Sequence, residues 1–207
     1  MSFGTLITFE GPEGAGKSTQ IGLLEERLRE EGVPVTRTFE PGGGSPLCAE
    51  LRNILLSEKF EDICCETELF LMLAARAEHV QKVILPALAK GDVVLCDRFI
   101  DSTTAYQGFG RGLPVKTIQL MNQFAIMGRY PDLTVIIDVD PVKGLERAAS
   151  KTGLDRIESA GEEFHGLVRE GFKALATEEG RYFLVDGNQS LSAVHKDIYA
   201  RVSRVIQ

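Results

Sequence analysis

The chain has 207 residues, 43% hydrophobic and 26% charged, with a formal net charge of -7. That length supports one domain, or one domain with a small lid, around a core of its own. The acidic balance excludes a general nucleic-acid binder, which needs a basic face, and no apolar run is long enough to span a membrane. No signal peptide is read ahead of the first β-prone run, so the expected location is cytoplasmic. Cys48, Cys64, Cys65 and Cys96 lack metal-ligand spacing. They read as reduced, packed thiols, with a redox pair at Cys64-Cys65 as the alternative.

In chain order, the first element is the β-prone run Thr5 to Phe9. Next comes Gly11-Pro12-Glu13-Gly14-Ala15-Gly16-Lys17-Ser18, which fits the phosphate-binding pattern G-x-x-x-x-G-K-[ST] at every fixed position. Helical periodicity then runs from Ser18 to Glu31, through Thr19, with Ile21, Leu23, Leu24 and Leu28 apolar. A strand, a glycine-rich turn and a helix form the setting this motif requires. Backbone N–H groups curl around a phosphate, and the helix N-terminus adds partial positive charge. Gly11 to Thr19 is therefore the expected nucleotide-phosphate cradle. Lys17 is expected to reach the β- and γ-phosphates, and the Ser18 hydroxyl to hold Mg²⁺.

Four more β-type runs follow, at Val33–Thr36, Val93–Cys96, Leu133–Ile137 and Tyr182–Val185. Helical patterns occupy Pro46–Leu56, Glu66–Ala89, Val115–Met127, Val142–Ala149, Gly161–Thr177 and Leu191–Val205. Continuous apolarity suits strands buried on both faces of a parallel sheet, and alternating β and α elements imply a doubly wound α/β fold. The expectation is a five-stranded parallel sheet flanked by helices, of the P-loop NTPase and nucleotide kinase type. Ala148 to Ala160 reads as a mobile connection, a lid over phosphates at about 148–160. The apolar face Leu69, Leu73, Val80 and Ile84 packs either within the subunit or against a partner.

In such folds ligands bind beyond the carboxyl ends of the strands. Asp97-Arg98 stands there, directly after Val93–Cys96. An acidic residue ending a strand beside a phosphate loop holds the metal directly or through water, so Asp97 joins Ser18 as a metal residue. The Arg98 fork suits a phosphate oxygen.

At these residues the chain resembles the bacterial thymidylate kinases, P-loop nucleoside monophosphate kinases that make dTDP from dTMP and ATP. The matching stretches are Phe9-Glu10-Gly11 through Ser18-Thr19, Glu40-Pro41-Gly42-Gly43, Ala74-Ala75-Arg76, Asp97-Arg98-Phe99 and Ser102 through Gly108. Gly110-Arg111-Gly112, Pro131 to Thr134 and Leu154-Asp155-Arg156-Ile157-Glu158 match as well, in the family's order and over nearly the whole chain.

The resemblance implies roles. Glu13 matches the carboxylate that hydrogen-bonds the deoxyribose 3′-OH, Arg76 the arginine at the thymine edge, and Arg98 the holder of the dTMP phosphate. Tyr106 matches the residue under the sugar, where a 2′-OH would clash. Ser102, Thr103 and Gln107 match the lining of the base pocket, and Glu40 and Pro41 the loop near the acceptor. Met72 stands where the family usually stacks an aromatic residue on thymine, and Phe39 where relatives often carry arginine. Gly14 stands where one branch carries an arginine in the phosphate loop, so the chain resembles the branch whose lid supplies the cations, here Arg147, Lys151 and Arg156. The family implies Mg²⁺ with ATP as donor, and a homodimer.

The resemblance implies that no protein nucleophile is needed, the dTMP phosphate attacking the γ-phosphorus directly. His79, His165 and His195 read as surface or packing residues without identifiable partners. Two other readings stay open on the residues: another nucleoside monophosphate or deoxynucleoside kinase, and a P-loop NTPase switch with no small acceptor.

Overall fold

The β-type runs do pair. The computed structural model describes residues 3–60, 62–152, 155–178 and 180–206. In it β1 (Thr5–Glu10), β2 (Val35–Phe39), β3 (Val93–Asp97), β4 (Leu133–Asp138) and β5 (Tyr182–Asp186) form one sheet in the order β2-β3-β1-β4-β5. Every pairing is parallel. The central strands carry apolar residues on both faces because helices cover both. Ile7 and Phe9 pack with Leu24 and Leu28 on one side, and Leu6 and Val94 with Val80 and Ile84 on the other.

Three details differ from the sequence pattern. Strand β2 begins two residues later than expected, since Pro34 has no N–H to give and only accepts, from Val93 N at 2.9 Å. Val33 packs on the core instead. The expected helix at Glu66–Ala89 is α3 (Cys65–His79), a wide turn over Val80–Ile84, and α4 (Leu85–Ala89). The wide turn precedes Pro86, whose missing N–H breaks the regular ladder. The stretch after Arg98, to which the sequence pattern assigns no element, is helical: α5 (Ile100–Thr103) continues as a wide turn over Thr104–Gly110.

Glycine explains both the missed helix and its packing. Gly108 and Gly110 lower helix propensity, yet Gly110 allows close approach to α8 (Glu162–Ala176), and Gly108 to Val115 and Ile118. A Cβ at Gly110 would meet the Phe164 ring, and one at Gly171 would meet Phe109 at 2.8 Å. The remaining helices are α1 (Lys17–Glu30), α2 (Pro46–Leu56), α6 (Val115–Ala125), α7 (Pro141–Thr152) and α9 (Leu191–Val202).

The connection expected at 148–160 divides differently. Helix α7 continues to Thr152, and Glu158–Ala160 makes a single tight turn. Lys151 lies on α7 with its side chain outside the described residues. Leu69, Leu73, Val80 and Ile84 are all buried against the subunit's own core.

Candidate active site

The turn Glu10 to Gly16 bends the chain from β1 into α1. Gly14 has φ +63°, a left-handed conformation that favours glycine. It also lies backbone to backbone against α7, where a Cβ would strike the Gly144 carbonyl. An arginine therefore has no room at this position in this arrangement.

Lys17 points back into its own loop, donating to Pro12 O at 2.8 Å and Gly11 O at 3.1 Å. Burial, then the Arg98 charge, push its pKa down to about 8. Ser18 Oγ donates to Asp97 Oδ2 at 2.6 Å, joining the first helical turn to the end of β3. A crevice opens over Glu13 to Thr19, Asp97, Arg98 and Arg147. Gly11 and Pro12 do not line it; their carbonyls face Lys17 instead.

Arg98 has φ +66° although it is not glycine. Such a backbone costs on the order of 1–2 kcal/mol and persists only where its surroundings hold it. Here Arg98 N donates to Phe9 O at 2.9 Å, and Phe99 N donates to the buried Glu10 Oε1 at 2.7 Å. The turn aims the guanidinium between the phosphate loop and Ser102. Nη1 donates to Gly11 O and Ser102 Oγ, each at 3.1 Å, and Nη2 to Glu13 Oε1 at 2.7 Å. Its carbon lies 5.0 Å over the Tyr106 ring.

Glu13 also accepts from Tyr106 Oη at 2.8 Å. Burial alone would raise its pKa; the Arg98 and Lys17 charges outweigh that and bring it down to about 2. A carboxylate inside a phosphate loop is thus held ionised by Arg98.

The second cavity lies beyond Arg98. Glu13, Glu40, Pro41, Met72, Arg76, Arg98, Ser102, Thr103, Tyr106 and Gln107 all line it. Arg76 is buried, donating from Nε to Glu40 Oε2 at 2.8 Å, from Nη1 to Thr103 Oγ1 at 2.8 Å and Asn122 Oδ1, and from Nη2 to Phe99 O at 3.0 Å. Its rigid fork is fixed by protein groups on every nitrogen. Met72 is half-buried and packs on the cluster of Tyr106, Phe164 and Phe172. Phe70 points outward, 59% exposed, and cannot replace it as a ring over the pocket.

Three sequence readings change here. His79 is not without partners: it is buried, sharing hydrogen bonds with Glu40 Oε1 at 2.8 Å and Thr38 Oγ1 at 2.6 Å. His165 bonds Glu158 O at 3.0 Å. Arg156 does not line the phosphate-loop crevice. It donates from Nε to Leu55 O at 2.8 Å and from Nη2 to Glu68 Oε2 at 2.6 Å.

Arg52 was missed by sequence reasoning, since a lone arginine in a helical pattern looks like a solvated face. It lines both cavities, donates to Pro41 O at 2.7 Å and stacks 5.6 Å over Phe39. A neighbouring Phe-Glu-Pro stretch gave no signal that α2 would supply a cation there.

A phosphate loop on an all-parallel sheet, with a second cavity beside it, defines the P-loop kinase class of fold. A crystal structure of thymidylate kinase from Ehrlichia chaffeensis superimposes with a TM-score of 0.78 at 35% identity, covering 97% of this chain and 99% of that one. The sequence matches the thymidylate kinase family over residues 9–198, so the chain belongs to that family. Curated relatives include thymidylate kinases of Pseudomonas putida GB-1, 49% identical over 99% of this chain and 97% of theirs, and Pseudomonas syringae pv. tomato DC3000, 48% identical over 94% and 93%.

Proposed function

We propose that this chain transfers the γ-phosphoryl group of ATP to dTMP, giving dTDP and ADP. One observation carries the reading beyond family membership. The phosphate-loop crevice and the second cavity share Glu13, Glu40, Arg52, Arg98 and Glu158 as a common wall. A hydrolytic switch has no use for an acceptor cavity opening onto its phosphate site. A transferase needs one, because the acceptor oxygen must approach the γ-phosphorus in line.

The donor phosphates are read into the loop, where Lys17 exchanges the Gly11 and Pro12 carbonyls for phosphate oxygens. Arg98 then sits between donor and acceptor, its fork turned to the dTMP phosphate, with Glu13 keeping it oriented and meeting the sugar 3′-OH. Tyr106 lies under the sugar. Arg76, Thr103, Ser102 and Gln107 surround the base edge, and Met72 covers its face. The dTMP phosphate oxygen forms the new P–O bond as the bond to ADP breaks, so no protein nucleophile takes part. Arg147, which lines the donor crevice, and Lys151 on the same helix are the cations assigned to the transferring oxygens.

Mg²⁺ fits the pair Ser18 and Asp97. Their hydroxyl and carboxylate oxygens are hard donors 2.6 Å apart, and Mg²⁺ takes few protein ligands when phosphates supply the rest. When bound there it neutralises charge on the donor phosphates. The protein is read as cytoplasmic and homodimeric. Phe124, Leu120 and Phe70, each more than half exposed, support an interface between copies.

The test is ADP release with dTMP present, for the wild type and Lys17→Ala. Loss of one such electrostatic contact lowers turnover by about 10²–10³-fold. Near-normal dTMP-dependent turnover by a folded Lys17→Ala variant would overturn the assignment.

A further inference from the structure

The cluster that the transfer chemistry leaves unexplained surrounds Glu68. Its side chain is 1% exposed, on the first turn of α3. Four donor groups, from three residues on two other segments, converge on the one carboxylate. Gln107 Nε2 reaches Oε1 at 2.9 Å, Arg111 Nε reaches Oε1 and Nη2 reaches Oε2, both at 3.3 Å, and Arg156 Nη2 reaches Oε2 at 2.6 Å. Burial would raise the Glu68 pKa, but the Gln107 hydrogen bond and the arginines outweigh it and hold the group below the usual carboxylate range.

One donor residue lines the acceptor cavity and the other two stand behind its lining. Gln107 lines it directly. Arg156 stands between Asp155 and Ile157, which line it with Glu158. The Nε bond from Arg156 to Leu55 O adds the end of α2, whose Leu56 is a further lining residue. Arg111 lies 4.4 Å over the Phe164 ring, which meets Tyr106 edge-on at 6.1 Å. A single carboxylate thus ties three walls of one cavity to the rigid helix α3.

We propose that Glu68 is a positioning residue for the acceptor nucleotide, and that Arg156 serves as its clamp on the 155–158 wall rather than as a cation for the transferring phosphoryl group. The inference rests on the kinase reading above. Fixing Gln107 leaves its amide oxygen as the group offered to a base. Fixing Arg156 keeps the far wall at the distance that encloses the acceptor. Neither residue touches the donor crevice, so acceptor binding carries the effect and donor binding does not.

The test measures KM for dTMP, KM for ATP, kcat and Tm for the wild type, Glu68→Gln, Arg156→Met and the double variant. Glu68→Gln keeps size and loses charge. Arg156→Met keeps the stem and loses the fork. Each single variant is expected to raise KM for dTMP about tenfold, while KM for ATP stays within about twofold and kcat within about threefold. The double variant is expected to match the worse single variant, because both remove one coupling.

Three results would overturn the proposal. One is lowered Tm with an unchanged KM for dTMP, which marks a merely structural pair. Another is a fall in kcat of about a hundredfold for Arg156→Met at constant KM, which returns that arginine to the transfer step. The third is additive effects in the double variant. If Glu68→Gln does not fold, Arg156→Met decides by the first two criteria. A wild type that does not phosphorylate dTMP at all refutes the kinase reading instead.

Discussion

Arg98 performs three tasks with one guanidinium: it holds Ser102, neutralises Glu13 and faces the shared wall of both cavities. Only a planar fork can do this, since an ammonium offers a point charge. Arg98→Lys is therefore expected to lower kcat/KM for dTMP by about 10²-fold while ATP affinity stays within about twofold. Steady-state kinetics in both substrates checks it; a fall in ATP affinity with dTMP affinity intact would move Arg98 to the donor side. Glu13 carries a pH signature. Its pKa falls from 4.5 unfolded to about 2 folded, despite burial, because of Arg98 and Lys17. The pair's contribution is complete above about pH 4.5 and is lost as pH falls toward 2, on the order of 3 kcal/mol in total. Urea unfolding of wild type and Glu13→Gln should show a stability gap that is widest above pH 4.5 and closes in acid. A gap independent of pH would show that Arg98 does not hold Glu13 ionised.

At the scale of elements, the phosphate loop and α7 are positioned by glycine on both sides. A Cβ at Gly144 would strike the Glu13 carbonyl, and one at Gly14 the Gly144 carbonyl. Backbone cannot rotate away as a side chain can. Gly144→Ala should therefore cost about 1–3 kcal/mol of stability and weaken ATP binding by displacing the loop. Thermal unfolding with and without ATP checks both; an unchanged Tm would mean that α7 shifts freely. The loop itself was legible in the sequence because cradling phosphate demands glycines, a lysine and a hydroxyl at fixed spacing. Asp97-Arg98 was legible because it ends a buried strand. The supports behind them were not. Glu10, Glu68 and His79 are lone polar residues in apolar or helical patterns, and only burial among partners from distant segments reveals what they hold. The helical stretch Ile100–Gly110 was hidden by Thr103, Thr104, Gly108 and Gly110, whose low propensity is overridden by packing on α8.

For the whole molecule, the strand order puts β1 at the centre, flanked by β3 and β4. Its carboxyl end delivers the phosphate loop, and that of β3 delivers Asp97 and Arg98 beside it. The donor crevice and the acceptor cavity therefore open along one edge of the sheet, as expected of doubly wound folds. The chain as a whole carries a charge of -7, yet Arg52, Arg76, Arg98 and Arg147 all line these two cavities. That placement attracts phosphates to one edge of an otherwise acidic protein. The central claim is that the second cavity accepts a thymidine monophosphate. Its most direct test is kcat/KM with ATP for dTMP, dUMP, dCMP, dGMP and thymidine in parallel. The account predicts that dTMP exceeds every other acceptor by at least about tenfold, and that thymidine, lacking the phosphate assigned to Arg98, is not turned over. A preference for another acceptor, or ATP hydrolysis that no monophosphate stimulates, would contradict it.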